Sequence, residues 1–407
     1  MKEWLVRLTL ITFGFIIVIV SMVTLEIGLN RFDPHKTYFA ARPDQYIGWK
    51  GIPDGEEMFR FGSISVDIKM NSQGFRDRER NYEKGKDVFR ILVLGDSFTE
   101  ALQVRLEQTF PYILEEKLNS AINKRFEVIN LGISGFGTAQ EYLTLKHYGL
   151  KYQPDFVILA FFIGNDFIDN SLTLSVGDPN PKPYFVLNNG KLEEIPFKIK
   201  ESTQKRGIIE DFWETTFPNT YYLVYSRIAQ TPWLANFLWE IGIKNSTSAL
   251  IDKSKKSEKT SEIPIFWYDV YAEEYTSQWK EAWDITKALI LRISRECKIN
   301  KIGFLVVVIP DELEFRSDKW DEILDKNPQM RTLKYDLRKP ERILSNFFDA
   351  NKIGYLLLRP GFEKYTKETG KDLHFHYRYD HLHWNAQGHT LTAELIYEKL
   401  KENKLVK

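Results

Sequence analysis

A serine hydroxyl becomes a nucleophile only when a base accepts its proton and a third group holds that base. Two distant stretches of this chain supply those residue types: Leu94-Gly95-Asp96-Ser97-Phe98-Thr99 and Asp380-His381-Leu382-His383-Trp384-Asn385. Asp380 and His383 are three residues apart on a turn ahead of the last helical stretch, so the carboxylate can orient the imidazole while its other nitrogen faces Ser97. His381 is a rival base; the spacing from Asp380 and the Trp384-Asn385 that follows favour His383. Attack on an ester carbonyl also needs hydrogen-bond donors aimed at the developing oxyanion. Asn130-Leu-Gly-Ile-Ser134-Gly135 offers the backbone N–H of Gly135, where no Cβ obstructs close approach, and Ile163-Gly164-Asn165-Asp166 offers the Asn165 side-chain amide. The backbone N–H of Ser97 is a third donor. Asp96 and Asp166 read as loop-capping carboxylates.

These groups work together only if a scaffold brings them to one rim. Arg90–Gly95, Glu127–Gly132, Asp155–Ile163, Ile302–Ile309 and Gly354–Leu358 are short, β-rich and almost wholly apolar, as strands buried on both faces are. Helical stretches alternate with them over Glu107–Leu118, Ala139–Tyr148, Glu274–Arg295, Pro340–Ala350 and Ala386–Glu402. The expected fold is α/β, with a central, mainly parallel sheet of about five strands and helices on both faces. Ser97 then sits at the carboxyl end of the first strand, where such sheets place their ligands. Residues 172–272 break the alternation and read as an insertion, with Asn189-Gly190 marking a hairpin. Its Trp213, Trp233, Trp239 and Trp267 suit a small aromatic core or a wall over the site.

The Gly95-Asp96-Ser97 turn, the Gly135 loop, the Gly164-Asn165-Asp166 turn and the closing Asp380-x-x-His383 occur in the order and spacing of the SGNH hydrolases, also called GDSL esterases/lipases, and the chain resembles the membrane-anchored bacterial members of that superfamily. The resemblance covers residues 88–403 around the insertion. It implies a flavodoxin-like three-layer sandwich, Ser97 as nucleophile, His383 as base, Asp380 as its partner, and Ser97, Gly135 and Asn165 as the oxyanion hole. It implies no cofactor and no metal. The superfamily takes lipids, acetylated sugars, thioesters and arylesters.

The rest of the chain narrows location and partners. Leu8–Leu25 holds no charge and is long enough to span a bilayer as a helix. Lys2 and Arg7 precede it, and no small-residue cleavage site follows, which fits an uncleaved anchor with residues 1–30 as tail and membrane helix. Residues 31–87 are turn-rich and read as a stalk with a small β appendage. The expected site of action is therefore extracytoplasmic, on the outer face of a bacterial cytoplasmic membrane. With 56 basic and 56 acidic residues there is no net field for nucleic acid, and the single Cys297 excludes an intramolecular disulfide and any CxxC motif. The expected partners are the membrane and an acylated glycan or lipid ester. His374, His376, His381 and His383 could instead form a zinc site, but that leaves the Ser97, Gly135 and Asn165 loops without a role. A non-catalytic envelope-binding protein is a third possibility, and it would be marked by loss of one of the four blocks.

Overall fold

The computed structural model describes residues 2–32, 41–61, 64–121, 124–175, 182–195, 197, 216, 217, 220, 265–375 and 383–403. The chain divides into two compact units, Met1–Tyr38 with Lys200–Glu262, and Phe39–Ile199 with Ile263–Lys407. In the first, α1 (Lys2–Phe32) contains Val6–Gly28, a 23-residue segment long and apolar enough to cross a membrane. Near its end the Glu26 carboxylate accepts from the Thr220 amide at 2.8 Å and from its hydroxyl at 2.7 Å.

The second unit opens with two antiparallel hairpins, β1 (Ala41–Asp44) with β2 (Gly48–Gly51) and β3 (Glu56–Phe61) with β4 (Ile64–Lys69). The α/β core follows as β5 (Val88–Gly95), α2 (Ser97–Glu100), α3 (Phe110–Ala121), β6 (Arg125–Asn130), α4 (Thr138–His147), β7 (Phe156–Phe162) and α5 (Asp166–Asn170). A third hairpin, β8 (Tyr184–Asn188) with β9 (Lys191–Ile195), turns at Asn189 and Gly190, whose φ values of 51° and 77° suit the mirror-image turn expected of this pair. The core resumes as α6 (Ser277–Ile299), β10 (Gly303–Ile309), α7 (Ser317–Lys326), α8 (Lys339–Asn351), β11 (Gly354–Leu357), α9 (Arg359–Thr369) and α10 (Ala386–Glu402).

The central sheet has five strands in the order β11-β10-β7-β5-β6, and every pairing in it is parallel. Counted along the core this is the 2-1-3-4-5 order of doubly wound folds, whose ligands lie beyond the carboxyl ends of the strands. Side chains alternate across the sheet. Leu92, Leu94, Val157, Leu159, Val306 and Val308 pack under α4, α6 and α8, while Ile91, Val93, Ile158, Ala160, Leu305 and Val307 pack under α3, α9 and α10. The longest core helix, α6, earns its place by helical spacing: Trp279, Ala282, Trp283, Ile285, Thr286, Leu289, Ile290, Ile293 and Cys297 are buried along one face. The Thr276 hydroxyl caps its start by accepting from the Trp279 amide.

Residues 41–87, read from sequence as a stalk and appendage, pack into this same unit. Ile47 and Phe75 join the core under α4, and the buried Arg76 guanidinium donates to the Glu100, Ala101 and Val104 carbonyls. The alternating Ile64, Val66 and Ile68 of β4, followed by Met70, also bury against Leu102, so a short apolar stripe within the turn-rich segment helps to hold it. Of the insertion, Trp267 packs against the core, whereas Trp213, Trp233 and Trp239 lie outside the described residues.

Toward the amino end of β5, away from Ser97 at the carboxyl end of the sheet, Arg90 is 2% exposed. It donates to the carbonyls of Asn81, Tyr82, Glu83 and Tyr152 and, through Nε, to the Glu127 carboxylate at 2.7 Å. Arg90→Met would strand those acceptors. Urea unfolding is expected to show a loss of about 3–5 kcal/mol. A loss below about 1 kcal/mol would show that water replaces the guanidinium.

Candidate active site

The Gly95-Asp96-Ser97 turn is built by close packing. A Cβ on Gly95 would lie 2.1 Å from Thr99 Oγ1 and 3.2 Å from Ala160 Cβ, so only glycine lets β5 pass into α2 this tightly beside β7. The Asp96 carboxylate accepts from the Phe98 amide at 2.9 Å, capping α2 and turning the Ser97 side chain to the rim. Ala101 in the left-handed region then ends the helix after one turn.

His383 arrives from the loop ahead of α10 and places Nε2 2.8 Å from Ser97 Oγ. Several contacts hold it there. Trp384 is fully buried against Phe98, Phe110 and Phe362, and the His383 carbonyl accepts from the Phe375 amide at 2.9 Å. Asn385 caps α10 by accepting from the Gln387 and Gly388 amides, so the helix end is stapled one residue beyond the tryptophan. Asp380 and the rival His381 lie outside the described residues, as does His376. His374 is buried beside the rings of Phe315 and Phe362.

The two other loops meet the same rim. Beyond β6, Gly135 is exposed at φ 77°, a left-handed value that favours glycine. Ser134 before it donates its amide to Glu100 Oε2 at 2.8 Å, and its hydroxyl meets the same oxygen. Beyond β7, Asn165 precedes α5 and donates Nδ2 to Asp169 Oδ2 at 3.0 Å, and its side chain also hydrogen-bonds the Asp96 carboxylate. Asp169 in turn accepts from Lys182 Nζ at 2.8 Å. Asp166 accepts from the Phe162 amide, so it and Asp96 both act as loop caps. Among the described residues, the backbone N–H groups of Ser97 and Gly135 meet no acceptor. Glu100, Asp169 and Lys182 escaped sequence reading because their types are common and only folding sets them beside the loops; the position of Glu100 one helical turn after Ser97 is the one signal that pointed there.

Buried carboxyls crowd behind the rim. Burial pushes Asp96 up to about 6 and holds Glu141 and Asp166 well above the usual carboxylate range, and each charge would raise the others further. Beyond β10, burial likewise raises Asp311 to about 6 and Glu312 to about 7, and holds Glu314 well above the usual carboxylate range. A carboxyl whose folded pKa is raised keeps a proton that the unfolded chain releases. Its stabilising contribution is therefore present at low pH and lost as pH climbs through the folded values. His389 opposes this, since burial lowers it to about 3 and its contribution grows between about pH 3 and 6.5. With six carboxyls against one imidazole, the melting temperature is expected to fall by several degrees between pH 5 and pH 8 at constant ionic strength. A calorimetric series that stays flat or rises would show that these carboxyls titrate normally.

No family model matches the chain, and no curated protein matches it. Solved structures do. A GDSL-like lipase from Bacteroides thetaiotaomicron VPI-5482 is 13% identical, with 80% of this chain and 93% of that chain covered and a TM-score of 0.34. A lipase/acylhydrolase from Enterococcus faecalis is 13% identical over 77% of this chain and 96% of its own, at a TM-score of 0.35. A catalytic mutant of an acetylxylan esterase from Geobacillus stearothermophilus is 12% identical over 77% and 94%, also at 0.35. The solved chains to which this one is similar are thus lipases, acylhydrolases and esterases.

Proposed function

We propose that the chain is a serine ester hydrolase of the SGNH type, with Ser97 as nucleophile, His383 as general base and Asp380 as the carboxylate that orients it. The single observation that carries this reading is the 2.8 Å approach of His383 Nε2 to Ser97 Oγ across 286 residues of chain. In the reaction, Nε2 takes the Ser97 proton as Oγ bonds to the ester carbonyl carbon. The carbonyl oxygen becomes an oxyanion and is met by the N–H groups of Ser97 and Gly135 and by Asn165 Nδ2. Collapse of the tetrahedral intermediate breaks the C–O bond, and the imidazolium returns its proton to the leaving alcohol. Water, activated by His383, then frees the acid from Ser97.

The substrate we favour is an O-acyl group, above all O-acetyl, on a cell-envelope glycan; a lipid ester comes second. Support for this is locational: Val6–Gly28 is long and apolar enough to serve as a membrane anchor, and on our reading the chain after it lies on the extracytoplasmic side. A sugar hydroxyl in place of water would turn the same acyl-enzyme into an O-acyltransferase. A panel of acyl-chain lengths and acetylated glycans, run with and without an alcohol acceptor, separates these outcomes. Covalent labelling of Ser97 by a fluorophosphonate is expected in every case, and activity lost to a chelator but not to the phosphonate would overturn the serine mechanism. Protease digestion of intact cells tests the topology, and protection of the C-terminal bulk would reverse it.

A further inference from the structure

We propose that Trp49, on the first hairpin of the second unit, is a positioning residue that selects the flip state of the oxyanion-donor turn; this rests on the esterase reading. The Phe136 amide donates to the Ile133 carbonyl at 3.2 Å, closing a four-residue turn with Ser134 and Gly135 at its centre. Gly135 has φ 77°, the value of the third residue in a type II turn. Types I and II differ by rotation of the central peptide, here the one joining Ser134 to Gly135. In a trans peptide the C=O and N–H point oppositely in one plane, so this rotation swings the Gly135 N–H from one side of the loop to the other. Whatever holds the Ser134 carbonyl therefore aims the Gly135 donor.

Trp49 holds it. Its Nε1–H donates to the Ser134 carbonyl at 3.2 Å, 85 residues away in sequence. The indole edge reaches within 3.4 Å of the point a Gly135 Cβ would occupy, and its ring meets Phe136 edge-on at 5.4 Å. The hairpin is itself fixed: the Gln140 side chain donates to the Ile47 carbonyl at 2.7 Å, Ile47 is fully buried, and Lys50 Nζ sits 4.2 Å over the Tyr148 ring. On the other side, Glu100 receives the Ser134 amide and hydroxyl. Glu100 ends the short helix that Ser97 begins. The turn is thus anchored to the nucleophile's own helix through Glu100, and its central peptide is set by Trp49 from outside the α/β core.

The test removes the donor and keeps the ring. Trp49→Phe is expected to lower kcat for p-nitrophenyl acetate by about 10- to 100-fold with KM within about twofold, because the donor acts on the transition state. The inhibition constant of an alkylboronic acid, whose tetrahedral Ser97 adduct places an oxygen in the same hole, should rise by the factor by which kcat/KM falls. Should Trp49→Phe fold poorly, benzothienylalanine at position 49 keeps the indole shape with sulfur in place of N–H and is expected to give the same losses. Unchanged kcat in a folded variant, or a kcat loss without the matching boronate shift, overturns the role of Trp49. Full activity of Ser97→Ala would overturn the esterase reading instead.

Discussion

Ser97→Ala and His383→Ala are each expected to lower turnover of a short p-nitrophenyl ester by at least about 10⁴-fold, the loss that follows removal of a serine nucleophile or its base. The two losses should not multiply: a double variant is expected to be about as slow as either single one, since the hydroxyl and the imidazole act as one unit. Both side chains are half-buried rather than core. Melting temperatures should therefore stay close to that of the parent, which distinguishes lost chemistry from lost fold. Ser97→Ala removes one hydroxyl from the first turn of α2 and leaves the Asp96 cap in place. Turnover by a folded Ser97→Ala protein within tenfold of the parent would end the serine mechanism, and the same result for His383→Ala would move the base elsewhere.

Asn165→Ala is expected to lower kcat by about 10²–10³-fold with KM changed less than threefold, the signature of a donor that meets its acceptor only in the transition state. The structure makes this a clean substitution. Asn165 occupies the cap position of α5, yet its side chain makes no capping hydrogen bond, so little helix stability is at risk. Its bonds to Asp169 and Asp96 would be lost, but Asp169 keeps Lys182 at 2.8 Å as a counter-charge and Asp96 keeps the Phe98 amide at 2.9 Å. The measurement is steady-state kinetics on a short ester together with the boronic-acid inhibition constant, which should weaken in parallel. An equal rise in KM with kcat unchanged would make Asn165 a ground-state binding group and remove it from the oxyanion hole.

Local pattern sufficed wherever the signal was local. Buried parallel strands are apolar on both faces, so the five core strands stood out as runs, and the last helix was legible to the residue because Asn385 caps it. The Asn189-Gly190 turn was legible for the same reason: two positive φ values in succession call for that pair. The serine, imidazole, glycine and amide were named from residue types at the ends of expected strands and from the resemblance to the SGNH hydrolases, and the fold brings Ser97 and His383 to 2.8 Å of each other.

What residue types and spacing determined, then, was the α/β class, the strand ends and the chemistry that could stand on them. What only the tertiary structure decided was which ordinary residues hold that chemistry in aim. Trp49 on the Ser134 carbonyl, Glu100 under the Ser134 amide and Lys182 against Asp169 join segments 85, 34 and 13 residues apart through one or two hydrogen bonds each. Such bonds have no period and no composition, and they exist only once the sheet has brought the loops to one rim. The same holds for residues 41–87, whose turn-rich sequence reads as a stalk but whose Arg76, Ile47 and Trp49 pack into the core and against the Ser134-Gly135 loop.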